Sequence, residues 1–162
     1  MDKKELQRKM GKRNRTAGKG FERRTAKKIA FTFGWGWQKF ADRAGSGHKQ
    51  SHDAVPHAPY SDTFPYWWEC KYRQGWSLRS LFRDPKKSII YQWFIEARDD
   101  APIDLNPLLV FSMPHQQVFC MTDQDGFDFL SDFFDLPAHL VFVVDDEAYF
   151  VCLLDDFLGS IG

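Results

Sequence analysis

The segment 64–72, with the sequence FPYWWECKY, restricts most strongly what this chain can form. Its aromatic content favours a β-strand, and Pro65 lies near the start of the segment, where proline is tolerated. Because side chains alternate along a strand, Glu69 and Lys71 point to one face and Cys70 points to the other. An acid and an amine two positions apart on a central strand are both poorly solvated. The segment therefore predicts a buried strand whose charged pair needs further polar partners.

Asp53 precedes this segment in a short predicted strand, residues 53–55, and would add a second carboxylate to the same face. Two carboxylates and one ammonium suit a hard divalent cation with oxygen ligands, and the backbone carbonyl of Cys70 could supply another ligand. Lys71 would then hold or deprotonate a water while the metal stabilises a pentavalent phosphate. Asp62 lies in the same long segment and is an alternative candidate for the second carboxylate. Of the two residues, Asp53 is favoured.

A helix is predicted from about residue 19 to residue 33. Its apolar side consists of Thr25, Ala26, Ile29, Ala30 and Phe33, and its basic side of Arg23, Arg24, Lys27 and Lys28. Glu22 lies in the middle of the apolar side, where a buried carboxylate is costly unless a cation or hydrogen-bond donors meet it. An acid near a helix start is also favoured by the helix dipole, so the helix geometry leaves both explanations of Glu22 open.

The charge of the chain is strongly asymmetric although its formal net charge is zero. Residues 1–28 hold twelve Lys and Arg against three acids, whereas residues 99–162 hold thirteen acids and neither Lys nor Arg. A basic end of this kind favours nucleic acid as a partner. Residues 1–17 are predicted to form a basic flexible arm, for which a solvated tail without a partner is the alternative. The candidate DNA-binding residues are Lys12, Arg13, Arg15, Lys19, Arg23, Arg24 and Arg43.

The rest of the chain is predicted to form a single domain, residues 18–162, with an acidic and aromatic C-terminal extension from about residue 122. The predicted elements are a strand at 37–41, a helix at 86–98, strands at 108–113 and 117–121, a helix at 127–134 and a hairpin at 140–144 and 148–154.

The three cysteines are far apart and lack the spacing of a metal site. With no apolar run of membrane length and no signal peptide, we expect an intracellular protein that is cytoplasmic, nucleoid-associated or present in a virus-infected cell.

Three stretches together resemble a known family. They are GKGFERR at residues 18–24, RAGSG at residues 43–47 followed by Asp53, and Glu69-Cys70-Lys71. In this order they resemble the motifs of archaeal-type Holliday junction resolvases, which are PD-(D/E)xK nucleases, over about residues 18–121. The sequence departs from the family pattern in having His52 rather than proline before the aspartate, and in the length of the segment from Asp53 to Glu69.

The resemblance implies an α/β protein with a restriction-endonuclease-like core, in which a central mixed β-sheet is flanked by helices. It also implies a homodimer and magnesium-dependent incision of paired strands at a four-way DNA junction, with Mn²⁺ able to substitute. The residues it carries over as catalytic are Glu22, Ser46, Asp53, Glu69 and Lys71, with Glu22, Asp53 and Glu69 as metal ligands. Ser46 would contact phosphate, although serine is also a common turn former.

Three other functions are compatible with the sequence. The nearest is another PD-(D/E)xK endonuclease of restriction, repair or phage genome-processing type. A second is a non-catalytic DNA-binding protein that works through its basic arm. A third is an interaction module that uses the aromatic, acidic half of the chain.

Overall fold

The computed structural model describes residues 2–32 and 66–161. In these residues five strands form one mixed sheet, and helices cover both of its faces. The strands are β1 (Tyr66–Tyr72), β2 (Asn106–Ser112), β3 (Phe119–Asp123), β4 (His139–Val144) and β5 (Glu147–Leu153). The helices are α1 (Lys3–Thr32), α2 (Leu78–Arg83), α3 (Ile89–Asp100), α4 (Gln124–Phe133) and α5 (Leu154–Ile161), with a 3-10 turn at Pro85–Lys87. The predicted α/β class is confirmed, and the sheet is compatible with a restriction-endonuclease-like core.

The strand order is β1-β2-β3-β5-β4. β1 and β2 are parallel, with Glu69 opposite Leu109, and the chain between them contains α2 and α3. The other neighbouring pairs are antiparallel. Within the described sheet, β1 and β4 are therefore the two edge strands.

Each face of the sheet has its own hydrophobic core. On one face α1 and α5 pack against alternate residues of β1 and β2, so that Ile29 and Phe157 lie in one cluster with Tyr66, Trp68 and Cys70. The phenol of Tyr66 is buried there and donates a hydrogen bond to the carbonyl of Gly126, with an O–O distance of 2.7 Å. Burial of such aromatic side chains accounts for most of the stability that this layer supplies.

The opposite face is covered by α2 and α3. Trp93 and Phe94 of α3 lie in a cluster with Leu109 and Phe111 of β2 and Tyr149 of β5. Arg98, near the end of α3, donates a hydrogen bond of 2.9 Å to Glu147, which also accepts one of 2.6 Å from the Tyr149 hydroxyl. This contact fixes the C-terminal turn of α3 on β5.

Helix α1 corrects the prediction for the basic end of the chain. Residues 3–17, which we expected to belong to a flexible arm, form the first half of a single helix that continues to Thr32. The segment contains no proline and is rich in Lys, Arg, Gln and Glu, which are good helix formers. An ion pair one turn apart, Glu5 with Lys9 at 3.0 Å, supports it. Its residues are nevertheless almost all exposed, because the buried positions begin at Phe21.

The later elements agree with the predictions except at their ends, and two helices were not predicted. α2 is only six residues long, too short to show a helical period. α5 follows β5 without a loop, and its buried residues Leu154, Phe157 and Leu158 have helical spacing that the sequence does display. The predicted turn of the last hairpin is present, with positive φ at Asp145 and Asp146 as a two-residue type I′ turn requires.

Several predictions fall outside the described residues. These are the strands at 37–41 and 53–55, the turn at 43–47 with Arg43 and Ser46, and the acids Asp53 and Asp62. Among the residues that are described, no helix combines the length and the apolar character that crossing a membrane requires.

Candidate active site

Strand β1 presents its charged pair as the alternation of side chains requires. Cys70 is 8 % exposed and packs in the cluster beneath α1, whereas Glu69 and Lys71 point to the face covered by α3. The Lys71 Nζ lies 3.1 Å from Glu69 Oε1, and the two side chains are only 24 % and 22 % exposed. The pair therefore sits in a partly desolvated position, where charges interact more strongly than in water.

Lys71 also contacts a residue that the sequence did not single out. Its Nζ lies 3.4 Å from Oε2 of Glu96, on the third turn of α3. Burial alone would lower the pKa of Lys71, but the charges of Glu69 and Glu96 and their hydrogen bonds outweigh burial and raise the pKa. The amine is therefore held in its protonated form between two carboxylates.

Glu69 is a carboxylate in an unfavourable environment. Burial raises its pKa, and the charges of Asp100 and Glu96 raise it further, while Lys71 opposes this effect. Glu96 and Asp100 lie one turn apart on α3, so this helix adds two acids to the surroundings of Glu69. Their spacing of four positions, which places both on one side of the helix, was the available sequence signal for them.

Glu22 of α1 belongs to the same electrostatic environment. It lies between the buried residues Phe21 and Thr25, and is itself half-buried. Burial raises its pKa first of all, and the charge of Glu69 raises it further, against the opposing charges of Lys19 and Arg23. The charge of Glu69 thus acts on Glu22, although the two residues come from different elements.

These carboxylates have the chemistry of a partial metal site. Oxygen ligands with raised pKa values, held near each other by the fold, are stabilised by a hard divalent cation that relieves their repulsion. Within residues 2–32 and 66–161, no three Asp, Glu, His or Cys side chains come together as a complete metal-binding group. Glu22 and Glu69 therefore fit a divalent ion as part of a ligand set. Asp53, the third predicted ligand, lies outside the described residues.

A basic groove borders the same strand. It has a volume of about 580 Å³ and lies between the first half of α1 and Tyr72, the residue after Lys71. The residues that line it are Lys9, Lys12, Arg13, Thr16, Ala17, Gly20, Arg24 and Tyr72. The Tyr72 ring stacks on Phe21 at 5.1 Å, which fixes the wall of the groove against the core.

The candidate DNA-binding residues of α1 are all exposed to solvent. Of this set, Lys12, Arg13 and Arg24 line the groove, and Arg15, Lys19 and Arg23 lie elsewhere on the helix surface. The structure therefore brings half of the predicted cations of α1 into one concave surface next to the strand that carries Glu69.

Comparison with known proteins agrees with this chemistry. No curated protein and no solved structure matches the chain. The family described as "Phage putative PDDEXK endonuclease" matches residues 13–159, which include all of the described sheet, α1 from Arg13 onward, and the Glu69-Cys70-Lys71 motif. Because the match covers most of the 162 residues, the chain belongs to this family of phage PD-(D/E)xK endonucleases.

Proposed function

We propose that this protein is a divalent-metal-dependent endonuclease that cleaves phosphodiester bonds in branched DNA, with four-way junctions as its substrate. The observation that carries the proposal is a pair of partly buried carboxylates with raised pKa values, Glu22 and Glu69, the second of which is ion-paired with the amine of Lys71. Perturbed acids of this kind cluster at catalytic sites, and this supports the proposal. The family match supports the same reaction class.

In this proposal Glu22, Asp53, Glu69 and the carbonyl of Cys70 hold Mg²⁺, for which Mn²⁺ can substitute. The metal supplies charge stabilisation at the phosphate and an acidified water. Lys71 would hold that water, and two observations support this role: its Nζ lies 3.1 Å from Glu69, and the nearby carboxylates raise its pKa. Asp53 would complete the set of carboxylate ligands, and Ser46 would contact a phosphate.

The DNA backbone would follow the basic groove and the exposed cations of α1. Lys and Arg that neutralise phosphates give an attraction that is independent of sequence and sensitive to salt. The substrate would place the protein on intracellular DNA, in the nucleoid or in an infected cell. The acidic C-terminal half would stay away from DNA because its charge repels phosphate.

Cutting two strands symmetrically requires two sites, so we propose a homodimer. β4 is an edge strand of the described sheet, it contains no Asp, Glu, Lys or Arg, and it exposes Val141 by 45 % and Val143 by 60 %. An uncharged apolar edge can pair with its own copy, whereas monomeric proteins usually protect such an edge with charges or proline. We propose antiparallel pairing of β4 between two copies.

A second candidate function is cleavage of linear duplex DNA during phage genome processing. The description of the matched family as a phage endonuclease favours this alternative, because it specifies no branched substrate.

Cleavage of a synthetic four-way junction, compared with a linear duplex built from the same arms, tests the proposal. We expect Mg²⁺-dependent incision of the junction by the wild-type protein and none by Glu69→Gln. Equal cleavage of the two substrates would favour the phage-processing alternative. Binding of DNA without cleavage, unchanged by Glu69→Gln, would support a non-catalytic DNA-binding protein and contradict the proposal.

A further inference from the structure

The ammonium group of Lys71 is shared between carboxylates from two different elements. Its Nζ lies 3.1 Å from Glu69 Oε1 on its own strand and 3.4 Å from Glu96 Oε2 on α3. The Lys71 side chain is 24 % exposed, and that of Glu96 is 64 % exposed. Glu96 is thus the more exposed of these two carboxylates, since the Glu69 side chain is 22 % exposed.

The position of Glu96 is fixed by the helix that carries it. The other side of α3 is buried through Trp93, Phe94 and Ala97. Two residues after Glu96, Arg98 is tied to Glu147 and to the Tyr149 hydroxyl, at 2.9 and 3.3 Å. A carboxylate on such an anchored helix can define where a flexible lysine side chain ends.

The Glu96 contact adds little to stability, because Glu96 is mostly exposed and ion pairs with an exposed carboxylate contribute little. Its main consequence concerns the charge on Glu69. A lysine that pairs with Glu69 alone would neutralise the carboxylate that has to bind a cation. A lysine drawn partly towards Glu96 leaves more of the Glu69 charge available.

We propose that Glu96 is a positioning residue, which shares the Lys71 amine with Glu69 and so leaves part of the Glu69 charge free to bind the metal. This inference rests on the proposed function, because it assigns Glu96 a role in the same site. It predicts that without the Glu96 charge Lys71 moves fully onto Glu69 and competes there with the divalent ion. Both divalent-ion affinity and turnover should then fall while the fold is unaffected.

The test compares Glu96→Gln, Glu96→Asp and the wild-type protein. Asp84→Asn is the matched control, because it also removes an exposed carboxylate from an ion pair with a lysine, Asp84 with Lys87 at 2.8 Å, in the turn before α3. The measurements are kcat and KM for junction cleavage, the Kd for Mn²⁺ by titration calorimetry, and the melting temperature. For Glu96→Gln we expect kcat to fall about 10- to 100-fold and the Kd for Mn²⁺ to rise about tenfold, as for residues that orient metal ligands. KM and the melting temperature should stay near their wild-type values.

Partial recovery of kcat in Glu96→Asp and wild-type behaviour of Asp84→Asn would support the role of the Glu96 charge. Wild-type kcat and Mn²⁺ affinity in Glu96→Gln would overturn the inference while leaving the proposed function intact. Loss of activity that parallels a lower melting temperature would also overturn it, since Glu96 would then be structural. If the wild-type protein cuts no DNA substrate, the proposed function itself fails, and the inference fails with it.

Discussion

The charge of Glu69, on the first strand, raises the pKa of Glu22, on the first helix. Neither α1 nor β1 needs an acid at this point to pack, because the neighbouring positions Phe21 and Trp68 already fill the core. Carboxylates whose ionised forms the fold disfavours are frequent at functional sites, which supports the proposal that Glu22 and Glu69 bind a common cation.

Replacing Glu22 by glutamine should stabilise the metal-free protein at neutral pH. The raised pKa means that the fold favours the neutral form, so the ionised form destabilises the fold once the pH exceeds the folded-state pKa. We expect the melting temperature of Glu22→Gln at pH 7.5 to exceed that of the wild type by about 1–3 °C, after allowance for solvent screening. At about pH 3, well below the ordinary pKa of a glutamate carboxyl, the wild-type side chain is protonated in both states and the difference should vanish.

Glu5→Gln is the control for this measurement, because Glu5 is exposed and pairs with Lys9. It should give no increase in melting temperature. A Glu22→Gln protein that is less stable than the wild type at pH 7.5 would show that Glu22 is a structural ion-pair partner rather than a destabilised ligand.

The sequence could predict that the segment of β1 forms a strand, because local signals coincide there, but it wrongly predicted a central position, since β1 is an edge strand of the described sheet. In segment 64–72 the aromatic residues favour a strand, and alternation then decides which faces carry Glu69, Cys70 and Lys71. The helical period likewise identified Thr25, Ala26, Ile29 and Ala30 as the buried side of α1, and all four are buried. Period and propensity depend only on neighbouring residues, which a single sequence shows completely.

The sequence could not predict features that depend on tertiary contacts. Glu96 comes near Lys71 only because the crossover between two parallel strands lays α3 over β1, and no spacing in the chain specifies that placement. The helical state of residues 3–17 escapes prediction for another reason. Their composition suits a helix, but a segment without an apolar side gives no helical period and favours the interpretation of a flexible arm.

Reversing charge in the basic groove should weaken DNA binding uniformly across sequences. In the double variant Lys12→Glu and Arg13→Glu, the slope of log K against log salt should fall by about one for each phosphate that is no longer neutralised. Fluorescence anisotropy over a range of salt concentrations measures this. Arg79→Glu with Arg83→Glu on α2, equally exposed but remote in the chain from α1, is the matched control. An equal decrease of DNA affinity in the two double variants would contradict the proposal that the DNA backbone follows the basic groove.

Gly126 is a packing requirement of the core beneath α4. A Cβ at this position would collide with Thr122 Oγ1, which itself donates a 2.9 Å hydrogen bond to the Pro107 carbonyl. Gly126→Ala should therefore lower the free energy of unfolding by about 1–3 kcal/mol in urea denaturation. Gly159→Ala in α5 is the control, because among the described residues no atom other than those of its chain neighbours and its own helix backbone lies within 4 Å of the added Cβ, and alanine favours a helix. Equal free energies of unfolding in the two variants would contradict the prediction, because the core would then accommodate the added Cβ at Gly126 without loss of stability.

The β4 edge makes a separate prediction about assembly. Val143→Lys introduces a charge into the proposed interface between two copies and should convert a dimer into a monomer in light scattering. Ile103→Lys changes a fully exposed apolar residue outside β4 and should leave the dimer intact. A wild-type protein that is monomeric at micromolar concentration would contradict the homodimer.

Titration of Mn²⁺ into the DNA-free protein tests most directly whether the acids form one metal site. We predict that the wild-type protein binds the ion and that Glu22→Gln, Asp53→Asn and Glu69→Gln each weaken binding at least about tenfold, while Glu5→Gln does not. Wild-type affinity in all three variants would contradict the convergence of these acids on a common cation.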